Sequence, residues 1–114
     1  MNSPVIQMKF EPQEFEHTCS SGRTFKMREL SGFEQMTADS CSEGLQGIFY
    51  FRAARSLVSV DGENLMLATT GPQLIARLEG LRGKEVDELV AAYIQHFQPV
   101  GDNLKNESTP APAA

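Results

Sequence analysis

Four side chains in this sequence are of the types from which metal sites and nucleophilic pairs are built: His17, Cys19, Cys41 and His96. Thiolate sulfur and imidazole nitrogen are common zinc ligands, and a thiolate activated by an imidazole is a common nucleophile. The spacing speaks against both. Zinc sites show paired ligands at short spacing in both halves, and here only His17 and Cys19 are close. A Cys–His nucleophile needs a base and an orienting group, and no local signature marks either cysteine. His17 and Cys19 also fit as inward residues of a strand. The residues therefore predict no catalytic site, no metal and no cofactor. Two cysteines are too few for a disulfide framework and are expected as free thiols in a reducing cytoplasm.

Other chemistries leave as little trace. Neither a G-x-x-x-x-G-K-[ST] loop nor a G-x-G-x-x-G run is present. The acidic residues are scattered along helix faces and read as solvated surface. Arg52 and Arg55 could anchor an acidic partner, but such residues usually form the exposed side of a helix. A formal net charge of −5 argues against nucleic acid as a partner. No apolar run approaches the length of a membrane span, and the N-terminus lacks the plan of a signal peptide. The expectation is a non-enzymatic protein.

The elements that would position any site are easier to read. The 114 residues suit one domain, placed at 1–98, with 99–114 as a tail. Val5, Ile6, Met8 and Phe10 could form a strand ended by Pro12. From Glu14 to Cys19, Phe15, His17 and Cys19 share one face. Residues 20–23 form a turn containing Gly22, and Thr24–Glu29 returns as the second strand, with Phe25 and Met27 on its apolar face. The rule then changes. Ser31-Gly32-Phe33-Glu34 is a capping box, and Phe33 and Met36 follow at helical spacing.

A second such box, Ser40 to Glu43, predicts a break near residue 40 and a longer helix from about Cys41 to Val58. Leu45, Ile48, Phe49, Ala53, Ser56 and Leu57 would form its apolar face. Val60–Glu63 turns the chain. A small hairpin flanking Asp61-Gly62, with Leu57–Val60 and Leu65–Leu67 as its strands, is the alternative to helix followed by turn. Thr70-Gly71-Pro72 opens a helix lined by Leu74, Ile75, Leu78 and Leu81, with Gly80 as its stop. The last helix runs from Lys84 to Phe97 on Val86, Leu89, Val90, Tyr93, Ile94 and Phe97. Residues 101–114, Pro/Ala/polar in character, are expected to be disordered. The predicted fold is α+β, an N-terminal β-hairpin packed on three to four helices.

Three stretches, MRELSGFEQMTAD (27–39), FRAARSLVSVDGE (51–63) and LEGLRGKEVDELVAAYIQHF (78–97), carry a resemblance when taken in that order. They hold Leu-Ser-Gly before a helix, Val-Asp-Gly-Glu in the middle and V-D-x-L-x-x-A-Y near the end. Residues 24–97 thus resemble the tail assembly chaperones of long-tailed phages, small acidic proteins encoded just before the tape measure gene. The resemblance implies a protein that coats the apolar, helical tape measure protein, keeps it soluble in the host cytoplasm and helps tail tube subunits polymerise. It implies absence from the mature virion and lends no individual residue a role. A small structural or regulatory phage protein, such as a tail completion factor or an inhibitor of a host system, is the alternative.

One stretch fits a partner-binding role. Ile48-Phe49-Tyr50-Phe51 is apolar through a full helical turn, so it is either enclosed in the core or shared with another chain. Phe49, Tyr50 and Phe51, with Leu65, Met66 and Leu67, are the expected surface for self-association into a homo-oligomer and for client binding.

Overall fold

Alternation of side chains along 14–28 dictates a hairpin, and a computed structural model, which describes residues 5–98, contains it. Strands β1 (Glu14–Thr18) and β2 (Thr24–Arg28) pair antiparallel, with Phe15 opposite Met27 and His17 opposite Phe25. Gly22 takes a φ of 98°, the left-handed conformation that glycine adopts without strain, and its N–H donates to Cys19 O. Cys19, Phe25 and Met27 are buried.

The capping box forms as its pattern requires. Ser31 Oγ accepts from Glu34 N–H at 3.1 Å, and Glu34 Oε1 accepts from Ser31 N–H at 2.9 Å, opening α1 (Gly32–Ser40). Glu34 Oε2 also accepts from Arg28 and Arg55, which together with the Ser31 N–H outweigh burial and hold its carboxyl below the usual range. Ser31→Ala should lower stability by about 1 kcal/mol, as cap removals do, measurable by urea unfolding. Phe33 and Met36 follow at helical spacing but are exposed. Helix α1 turns Gln35, Ala38 and Asp39 inward, and a helix covered on one side leaves the opposite face to solvent.

The expected helix from Cys41 to Val58 is divided. Ser40 Oγ donates to Thr37 O within α1, so the second capping box does not form. Gly44 adopts a φ of 109°, one 3-10 turn follows at Leu45–Gly47, and α2 occupies only Ile48–Ser56. Leu45, expected on the apolar face, is exposed. Residues Leu57–Val60 leave the helix as β3, whose alternate residues Leu57 and Ser59 are buried. The hairpin alternative is thus the one adopted. Asp61 and Gly62 both take positive φ (51° and 84°), as a two-residue turn matched to strand twist needs, and β4 (Glu63–Asn64) pairs back. It is two residues long, and Leu65–Leu67 run on irregularly.

The described sheet is antiparallel in the order β1-β2-β3-β4. Where α2 becomes β3 its register with β2 shifts, and Ser56 mends the gap: its hydroxyl donates to Arg28 O at 2.6 Å and accepts Arg28 N–H at 3.1 Å. The architecture is α+β, as predicted, with a larger sheet than a hairpin.

Thr70 caps α3 (Gly71–Glu79) in a reciprocal box with Gln73, and α4 (Gly83–Phe97) follows. The main core joins Phe25, Met27, Leu57, Leu89 and Tyr93, while a smaller one holds Ala54, Ala68 and Leu74. Helix α2 separates them, with Ala53 in the first and Ala54 in the second. Ile75, expected inside, is about half exposed. Val5–Phe10 forms no strand and is exposed; it lacks a partner strand to satisfy its backbone groups. The expectation of a disordered tail at 99–114 lies outside the described residues.

Candidate functional site

The six residues expected to form one surface take three different positions. Phe49 is half-buried against the main core, with the Arg52 guanidinium 5.1 Å from its ring centroid. Phe51 packs on the smaller core. Tyr50, between them in sequence, is exposed. The apolar turn is thus shared between two cores, which is how a full turn of apolar side chains finds cover in a small domain. Leu65 packs against the main core, whereas Met66 and Leu67 stand out, 88% and 69% exposed.

Met66 and Leu67 gain their setting from α3. Residues 65–68 with Gln73, Ala76 and Arg77 line an open cavity of about 310 Å³, with a largely apolar wall. Phe49, Tyr50 and Phe51 do not line it. Arg77 holds the segment in place. Its Nη1 donates to Ala54 O at 2.7 Å and Leu57 O at 2.8 Å, and its Nη2 donates to Met66 O. One guanidinium therefore ties the end of α2, the start of β3 and the Met66 backbone to α3. Burial, then the nearby Arg55, push its pKa below the ordinary arginine value, yet arginine stays charged. A cation beside the last carbonyls of a helix is also favoured by the helix dipole.

A second cluster joins the hairpin turn to α4. Glu85 is 1% exposed and accepts from Arg23 Nη2 at 2.6 Å, Arg23 Nε at 2.9 Å, Ser21 Oγ and Arg82 N–H. The Arg23 guanidinium, aided by the other donors, overrides burial and brings the Glu85 carboxyl down to about 2. One helical turn on, Glu88 accepts Ser20 N–H at 2.9 Å, which lowers its pKa too. Beside it lie His17 and Cys19: one donor atom from each of His17, Cys19 and Glu88 falls within 4.8 Å of the others. Burial, then the Glu88 carboxylate, push the Cys19 thiol up to about 11. Of the four metal-type residues considered in sequence, the structure groups only His17 and Cys19. Cys41 Sγ donates to Thr37 O elsewhere, and exposed His96 stacks on Phe15 with ring centroids 3.8 Å apart.

Sequence reasoning missed several of these roles. Glu85 was expected in solvent and is buried in an ion pair. Arg52 was expected on an exposed face; it is half-buried, bidentate to Asp39 at 2.7 Å for both bonds, and bonded to Gln98. A charged residue on the inward stripe of α4, one turn before Leu89, was the available signal for Glu85. No helix among the described residues is long and apolar enough to cross a membrane. Comparison with protein-family models, with curated proteins and with solved structures finds no match to this chain.

Proposed function

We propose that this protein is a non-enzymatic assembly chaperone that binds and solubilises the tape measure protein of a long-tailed phage in the host cytoplasm. It would leave before the virion is complete. The resemblance of residues 24–97 to tail assembly chaperones supplies the client. The observation that carries the reading is the apolar cavity beside Met66 and Leu67, two large side chains left in water on a segment pinned by Arg77. Leaving such groups exposed favours whatever covers them, at roughly 25 cal/mol per Å² of apolar area removed from water. A groove with a flexible methionine on its rim suits the apolar stripe of an amphipathic helix and tolerates variation in its sequence. Exposed Phe33 and Met36 on α1 and Tyr50 on α2 add apolar surface for self-association or for the tail tube protein. The net charge of −5 on this chain favours its own solubility while that surface is exposed.

The test is co-expression with segments of the tape measure protein. The variant Met66→Asp/Leu67→Asp should keep its circular dichroism and melting temperature, since substitutions at exposed sites usually change stability by less than about 0.5 kcal/mol. Soluble client should fall to the level seen without chaperone. Undiminished solubility with the folded variant would refute the role given to this groove.

A further inference from the structure

The end of β1 and the middle of α4 place three different donors together: a His17 ring nitrogen, Cys19 Sγ and a Glu88 carboxylate oxygen. This is the one group of three such side chains found among the described residues. Cys19 is 97% enclosed by protein, being 3% exposed, while His17 and Glu88 are half-buried and open onto a cavity of about 460 Å³.

We propose that His17, Cys19 and Glu88 bind a divalent transition-metal ion, with zinc the best match to the donors, and that the ion clips the hairpin to α4. One soft sulfur, one imidazole and one carboxylate form a donor set suited to zinc. Ligands of a tetrahedral zinc lie roughly 3.5 Å apart, given bond lengths of about 2.0–2.3 Å. Atoms already within 4.8 Å reach that spacing by closing about 1 Å, within the reach of side-chain rotations. Charge agrees as well. A thiolate and a carboxylate together balance a dication, and the nearby Glu85 is already neutralised by Arg23. The Glu88 carboxylate is oriented from behind, because Ser20 N–H donates to its Oε1, as supporting hydrogen bonds orient metal ligands. The fourth ligand is a water on the side of the cavity, where the half-buried ligands face solvent. The inference stands apart from the chaperone reading, since it concerns other residues.

The experiment uses the full chain, stripped with a chelator and titrated with Co²⁺ as probe. A thiolate-to-cobalt charge-transfer band should rise in the near ultraviolet together with strong visible bands of tetrahedral cobalt, and Zn²⁺ should bleach both. Cys19→Ser should abolish the near-ultraviolet band. Supporting residues behind metal ligands are worth about 10–100-fold in affinity, so His17→Ala and Glu88→Gln should each weaken binding by about 100-fold or more. Cys41→Ser should bind as the parent does. Glu88 lies half in solvent, so Glu88→Gln keeps the comparison interpretable even where a change at buried Cys19 unfolds the chain. Zinc should raise the melting temperature of the parent but not of Glu88→Gln. No thiolate band, a band that disappears with Cys41, or an affinity equal to the parent's in His17→Ala and Glu88→Gln would overturn the proposal.

Discussion

Arg23→Ala is expected to lower the stability of the domain by about 3 kcal/mol, because it strands a buried charge. Removing one partner of a buried pair leaves the other uncompensated, and such losses run to about 3–5 kcal/mol. The lower end applies here. Glu85 is 1% exposed, but its guanidinium partner is 38% exposed, and Ser21 and Arg82 N–H still donate to the carboxylate. The double variant Arg23→Ala/Glu85→Ala should lose less than the two single losses combined, which denaturant unfolding of the four proteins would measure. The same pair sets an acid limit. Glu85 titrates at about 2 in the folded chain against an ordinary 4.5, so the unfolded chain binds the extra proton first. Its contribution is complete above about pH 4.5 and is lost as pH falls towards 2. A gap of that size corresponds to roughly 3 kcal/mol, reduced to about 2 by solvent screening at Arg23. Glu85→Gln should flatten this part of the stability–pH profile.

Arg77→Ala is the second large loss, again about 3 kcal/mol, with a different signature. It removes the Arg77 donor from the carbonyls of Leu57 and Met66 and one of two donors from Ala54 O, and an unsatisfied buried polar group costs about 1–3 kcal/mol. Ala54 O keeps the Leu57 N–H and Met66 O is exposed to water, so the sum is not realised. Arg77→Lys should recover part of the loss, because an ammonium supplies the charge without the planar fork. Hydrogen exchange would locate the damage: the amides of 65–68 and the α2–β3 junction should open, while those of β1 and β2 stay protected. Uniform loss of protection would show that Arg77 serves the whole fold rather than this segment.

What could be read in the sequence was what short spans encode. The change of period at Ser31, the Ser31 and Thr70 caps and the apolar stripe of α4 each lie within a few residues of their cause, and each stands in the structure as expected. The end of α2 does not. Ala53 to Leu57 keeps a helical period, and only pairing with β2, with Ser56 bridging to Arg28, draws Leu57 into a strand. Context of that kind decides strand formation more than local preference does. Phe33 and Met36 lie at helical spacing yet in solvent, since helical spacing fixes which residues share a face but not which face is covered. The Arg23–Glu85 pair and the His17–Cys19–Glu88 group join positions more than 60 residues apart, beyond the reach of spacing rules.

The central claim is that an apolar client helix is held against Met66 and Leu67. Its most direct test is the methyl spectrum of the protein, labelled at methionine, as a tape measure segment is added. The account predicts that the Met66 methyl signal shifts or broadens in proportion to bound client, while that of Met27, 0% exposed in the core, stays in place. Client binding with the Met66 signal unmoved would contradict it.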